Sequence, residues 1–369
     1  MTDRKATGGG LASLDFSPTL KFNENNYLIP LLSSSIKRKV QVIPEEEGGE
    51  FTVMDQDHNA YLAFKHIFDK KTSMRIAGFG SWSLNKETRD EKWGTGLYDY
   101  RDVGGNLNIQ FKTGLPPRSS PGVFSSTTEY YLRVYPNFQS LISMIRTDAP
   151  EKDQKNYYGI RQLVDYQWRA SPKFLYNLGY AFLYKHYTDN LVVNSNGLLT
   201  SKKRLDYLHN FNAGMFYSPL EKWQFNLAVS GFWNLSNQNR YDNRGVPFAA
   251  GVYTPRYFNY GLMQLRPSII FLYPMGERDK NFVLEGGYEF LLRAYSDRKA
   301  QTKSGVYTDD TETDYEHSIV LKAIYPISRQ FSVVTLGEYM MCTSNMDFER
   351  FYLYNYHSYA VWSGVSFKY

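Results

Sequence analysis

KWQFNLAVSGFWNL, residues 222–235, alternates its side chains with a period of two. Trp223, Phe225, Leu227, Val229, Gly231, Trp233 and Leu235 share one face, Gln224, Asn226, Ala228, Ser230 and Asn234 share the other, and only Phe232 departs. Successive side chains of a β-strand point to opposite faces, so the stretch reads as a strand with an apolar and a polar side. KFLYNLGYAFLYKHY (173–187) repeats it, with Phe174, Tyr176, Leu178, Tyr180, Phe182 and Tyr184 against Asn177, Gly179, Ala181 and Lys185. Both runs exceed the ~5–6 residues usual for strands of a soluble sheet.

Aromatic residues bracket these strands. Trp223 and Trp233 stand ten residues apart on one face. At ~3.3 Å per residue and a tilt near ~40°, that interval spans roughly 25 Å, the height of the apolar band of a transmembrane barrel. Phe174 to Tyr184 and Tyr359 to Tyr369 repeat it, as two interfacial aromatic girdles require.

The connections alternate in length, as they do in such barrels, with short turns at the periplasmic end and long loops outside. Tight joins read at 68–73, 113–122, 169–173, 218–222, 274–281 and 326–330; long polar tracts read at 39–57, 84–101, 136–155, 188–205, 236–255, 295–313 and 343–355. Between them lie about fourteen strands, with twelve to sixteen as the range. The expectation is an all-β fold, a single closed antiparallel transmembrane barrel over residues 26–369. An alternating piece at 13–22 would make the count odd, so residues 1–25 are expected outside the wall, as a periplasmic or lumenal segment.

Composition supports an architecture that places aromatics away from a core. The chain has 32 Tyr, 24 Phe and 6 Trp, yet its mean hydropathy is −0.49. Its net charge of +5 is spread along the chain without a basic run, so nucleic acid is not an expected partner. Cys342 is the single cysteine, which excludes an internal disulfide and a thiolate metal site. No apolar run reaches the ~18–20 residues of a membrane-spanning helix. MTDRKATGGGLASLDFSP (1–18) lacks the apolar region of an export signal, and the expectation is that one has been removed or belongs to a longer parent protein.

The polar face becomes the lumen. Reading the inward phase gives Lys65, Arg75, Lys112, Arg133, Arg161, Lys185, Arg266, Arg293, Lys322 and Lys368 against Glu129, Asp165, Glu285, Glu289 and Glu338. Glu285, Glu289 and Arg293 recur every four residues on one face, as do Glu129 and Arg133. Such a set forms either a charged constriction favouring anions or a paired network bracing a polar interior. The function expected first is a passive channel or transporter for small polar solutes, anions among them. Two other readings stay open: the C-terminal translocation barrel of a protein-secretion or polysaccharide-export system, and a surface adhesin or receptor acting through its outer loops.

Catalysis and cofactors find no support in the motifs. His66, His186, His209 and His317 fall on the outward face beside aromatics, and there is neither H-E-x-x-H nor G-x-S-x-G. GFGSWS (78–83) and GTGLYD (94–99) lack the third glycine of a dinucleotide loop. The opening of DQDHNAYLAFKH (55–66) imitates a calcium loop, but Ala60 replaces the turn glycine and His66 the bidentate Glu, so no metal is assigned. The acidic runs Glu45–Glu47 and Asp309–Asp314 read as solvated loop, or as divalent-cation bridges to lipopolysaccharide.

The end of the chain, VWSGVSFKY (361–369), resembles the C-terminal assembly signal of bacterial outer-membrane β-barrel proteins. Gly364, Phe367 and Tyr369 match that pattern, while Trp362 stands where a polar residue is usual. The resemblance is to the class and to no family within it. It implies location in the outer membrane of a Gram-negative-type bacterium, surrounding lipid and lipopolysaccharide, and insertion by the barrel assembly machinery through the last strand.

Overall fold

The structure is a computed structural model that describes residues 9–42, 50–86, 91–113, 122–138, 153–242, 251–276, 280–348 and 354–367. No helix occurs among them. The strands are β1 (Gly9–Phe16), β2 (Leu20–Lys21), β3 (Asn26–Val42), β4 (Glu50–Ile67), β5 (Thr72–Lys86), β6 (Tyr100–Thr113), β7 (Gly122–Val134), β8 (Tyr157–Ser171), β9 (Phe174–Val193), β10 (Leu199–Leu220), β11 (Trp223–Ser236), β12 (Arg240–Asp242), β13 (Val252–Thr254), β14 (Tyr260–Pro274), β15 (Asn281–Gln301), β16 (Tyr307–Pro326), β17 (Phe331–Ser344) and β18 (Tyr356–Phe367).

All but β12 and β13 join one 16-stranded antiparallel sheet, in the order β1-β3-β4 through β11, then β14 to β18, with β2 also on β3. Each strand pairs with its neighbour in sequence, as an up-and-down meander does. The fourteen segments read from the alternation correspond to β3–β11 and β14–β18. Among the described residues β1 and β18 are the two edges of the sheet, and no ladder joins them. One expectation is corrected. Residues 9–16 pair with β3 over Gly9↔Lys39 to Phe16↔Leu32, so part of the segment expected outside the wall is hydrogen-bonded to it.

Three of the expected long outer loops are strand for most of their length: β3 continues to Val42 and β4 begins at Glu50. β9 continues to Val193 and β10 begins at Leu199; β15 continues to Gln301 and β16 begins at Tyr307. The turn at 194–198 closes on the Asn194 carboxamide oxygen, which accepts from the N–H groups of Asn196 and Leu198. Gly197 there has φ +76°, in the left-handed region that costs glycine nothing. In 236–255, β12 and β13 form a small hairpin of their own. The tract 343–355, and Lys368 and Tyr369, lie wholly or partly outside the described residues.

The register sorts side chains onto two faces. On one, every second residue of Leu28–Ile36, His58–His66, Met74–Trp82, Val103–Phe111, Gly122–Leu132, Tyr158–Trp168, Phe174–His186, Tyr207–Tyr217, Trp223–Leu235, Gly261–Tyr273, Phe282–Leu292, Tyr315–Tyr325, Phe331–Met341 and His357–Phe367 carries no Asp, Glu, Lys or Arg. Large apolar side chains on this face are exposed, among them Leu178, Phe211, Trp233, Leu284, Ile319 and Leu321. Phe174, Tyr184, Trp223, Trp233 and Tyr359 all stand here. A soluble monomer does not expose an apolar surface of this extent.

Candidate functional site

The opposite face carries the charge. Arg75, Glu129, Arg133, Arg161, Lys185, Arg266, Glu285, Glu289, Arg293 and Lys322 all lie on it, tied together by the pairs Glu129↔Arg161, Ala228↔Arg266, Leu262↔Arg293 and Glu285↔Lys322. They do not converge on one point. The Lys322 ammonium is 3.9 Å from the Glu285 carboxylate in a partly exposed pair. Gln264 donates to Glu289, and Arg75 lies 5.7 Å over the Tyr61 ring.

What does converge is a belt of cations set on tyrosine rings, running along the end of the sheet remote from the short turns. Arg133 lies 3.9 Å over Tyr100 and grips Asp102 on β6. Lys185 lies 5.1 Å over Tyr157. Arg204 sits over Tyr187 and Phe258, 4.7 and 4.2 Å from their centres, and donates to both oxygens of Asp206. Arg293 lies over Tyr260 and 3.9 Å from Asp314. Arg298 lies over Tyr257 and Tyr295 and pairs with Glu312 at 2.6 Å. Guanidinium planes suit this double use, stacking on a ring while reaching a carboxylate through the fork.

Tyrosines of the same belt pack on one another. Tyr131, Tyr157 and Tyr187, from β7, β8 and β9, form a buried cluster with Phe79, Tyr135 and Leu183 against it. Gly159 makes room for it: a Cβ there would come within 2.5 Å of the Tyr131 ring. Asp206 accepts from the Tyr187 hydroxyl at 3.1 Å. Beyond Arg298, a cavity of about 340 Å³ is lined by Arg293, Tyr295, Glu312, Asp314, Cys342 and Tyr356.

Segments at the rim fix the belt. Asp99, before β6, is buried and accepts from the N–H groups of Asn85 at 2.7 Å and Gly96 at 3.1 Å. Burial raises its carboxyl above the ordinary range, and those bonds oppose the rise. Lys155, before β8, rests 4.3 Å over Tyr98 and 4.8 Å over Phe138. Burial first, then the Arg204 charge, hold its ammonium below the usual lysine range.

Arg204, Arg298 and Glu312 escape a reading by period two, whereas Asp102, Asp206 and Asp314 stand in unbroken ladders on the polar face and follow it. The reason for the first three is in the ladders: register shifts interrupt β9–β10 between Leu199 and Leu205, and β15–β16 between Ala294 and Gln301. Bulges at a sheet rim re-aim side chains and break the alternation from which a face is inferred. The cue available was Arg204 two residues before Asp206, which shares its face. With these two arginines and four carboxylates added, the excess of basic groups on this face falls from five to three.

No protein-family model matches this chain, and no curated protein matches it. Its likeness is one of architecture: an all-β antiparallel sheet of many strands, resembling the outer-membrane β-barrel class. Among the described residues no group of His, Cys, Asp and Glu is placed to hold a metal. The six histidines stand on the apolar face, where His209 hydrogen-bonds the Tyr180 hydroxyl at 2.9 Å and His317 that of Tyr288 at 2.7 Å.

Proposed function

We propose that this chain forms a transmembrane β-barrel of a bacterial outer membrane whose polar face lines a passage for small polar solutes. One observation carries the reading: the charge-free apolar face that runs from β3 to β18 while the other face holds ion pairs and buried carboxylates. In lipid, backbone polar groups must be satisfied internally, and a closed sheet with an apolar exterior does this. The belt of stacked arginines stands at the wider-looped end, where solute enters first.

Because those arginines are matched by Asp102, Asp206, Glu312 and Asp314, the passage discriminates weakly by charge and more by size and polarity. Planar-bilayer recording tests this. The expected result is stepwise conductance with a reversal potential near zero in a salt gradient. Absence of conductance above the protein-free bilayer overturns the channel reading and favours a filled barrel acting through its outer segments.

A further inference from the structure

Among the described residues the wall has two unpaired edges, β1 and β18, and the backbone directions at those edges constrain how it closes. β1 and β2 are one strand interrupted at 17–19, because a single register runs through Gly9↔Lys39, Phe16↔Leu32, Leu20↔Leu28 and Lys21↔Tyr27. Along the path β1-β3-β4 to β18 every neighbour is antiparallel, and the path holds fifteen places, so its first and last members run the same way.

The alternation continues without a break through the interruption. Ala12, Leu14, Phe16, Pro18, Leu20 and Phe22 share the apolar face, while Ser13, Asp15, Ser17, Thr19 and Lys21 share the polar one. Leu14 is 72 %, Phe16 58 % and Phe22 64 % exposed. A segment resting in an aqueous lumen has no use for such a stripe; a lipid-facing strand requires it.

The interruption itself has a cause that spares the free edge. The same register brings Pro18 opposite Pro30. Phe22 N–H donates to the Asn26 carbonyl at 3.0 Å, and Ile67 N–H to that of Asn25 at 2.8 Å. By parity, even residues of 12–22 and of β3 direct their backbone groups at each other, and odd residues of 12–22 direct theirs to the free side. Both prolines therefore remove N–H groups from the ladder between β1–β2 and β3, and neither from the free edge, where proline would prevent pairing. β18 also contains no proline and leaves Tyr359, Val361 and Val365 highly exposed.

We propose that β18 pairs in parallel with the β1–β2 strand, closing a barrel wall of fifteen strands in which residues 9–21 are a permanent stave. This rests on the membrane reading above, since it is lipid that makes two open edges untenable. The competing closure, β18 antiparallel to β3 in an even-stranded barrel, would expel residues 9–21, move Leu14, Phe16, Leu20 and Phe22 into water and bring the missing N–H of Pro30 into the seam.

Disulfide trapping in a Cys342→Ser background tests the seam. Single cysteines at Ser13 or Ser17 are combined with cysteines at Ser358, Ala360, Gly364 or Ser366, and the folded protein is oxidised in liposomes. The expected result is a reductant-sensitive mobility shift for one partner of each, the partner moving toward the C-terminus on going from Ser13 to Ser17. Trapping between β18 and cysteines at Ser33 or Ser35 overturns the proposal, as does no seam disulfide while the neighbouring pair Ser13 and Ser35 crosslinks. Failure of that neighbouring pair overturns it too, by removing β1 from the wall. Heat-modifiable gel migration of the same samples separates the two readings: a chain soluble without detergent and lacking the shift defeats the membrane reading, whereas a shift without seam disulfides defeats only the parallel closure.

Discussion

Arg133 holds Asp102 across the β6–β7 ladder with two hydrogen bonds, Nε to Oδ1 at 2.7 Å and Nη2 to Oδ2 at 2.6 Å, while its guanidinium lies 3.9 Å over the Tyr100 ring. The Asp102 side chain is 10 % exposed, so removing its partner strands a nearly buried charge. Arg133→Met is expected to cost roughly 3 kcal/mol, the low end of the range for breaking a buried pair because Arg133 itself is partly wet. The double variant Arg133→Met, Asp102→Asn is expected to recover most of that loss. Urea titration of the folded, heat-modifiable form measures both, and equal losses in the single and double variants would show that the pair is not what stabilises the rim.

Gly159 is held open by the Tyr131 ring, and Gly337 by nothing, since an added Cβ there meets no atom within 4 Å. Gly159→Ala is therefore expected to destabilise by about 1–3 kcal/mol through overpacking and to loosen the Tyr131, Tyr157 and Tyr187 cluster. Gly337→Ala is expected to be neutral or slightly stabilising, because glycine weakens a strand interior. The same titration, with near-ultraviolet dichroism for the tyrosine cluster, compares the two. Equal effects at both sites would mean that the ring does not sit on Gly159.

The wall was legible in the sequence because period two is local: Trp223 to Trp233 declares a strand and its lipid side without knowledge of any partner. The rim was not, because Arg298 and Glu312 pair only after register shifts in β15–β16 re-aim them. The N-terminal strand was hidden by a different cause. The alternation at 13–22 is as regular as that of β11, and a general preference for even strand counts argued against a pattern that the residues themselves displayed.

Asp69, fully exposed in the turn between β4 and β5, accepts from the N–H groups of Lys71 at 2.6 Å and Thr72 at 2.7 Å. These bonds, Lys71 first, lower its pKa below the ordinary 3.8. A carboxylate with a depressed folded pKa stabilises the fold above its unfolded pKa, and that contribution is lost as pH falls through the folded value. The stability gap between the native chain and Asp69→Ala is expected to be constant above 3.8 and to narrow as pH falls further. Urea midpoints across that window measure it; a gap independent of pH would show that the ionised carboxylate does not hold the turn.

Leu227 sits midway between Trp223 and Trp233 on the apolar face, opposite Met215 on β10 and Pro267 on β14. If lipid covers that face, Leu227→Arg places a guanidinium near the bilayer midplane at a cost of about 2–4 kcal/mol. If water covers it, an arginine at this exposed position costs within about 0.5 kcal/mol. Ala228→Ser, one residue on and on the polar face, is expected to be near neutral either way. Folding yield into liposomes and urea titration from them measure the difference. A neutral Leu227→Arg would place water on the face that carries the membrane reading.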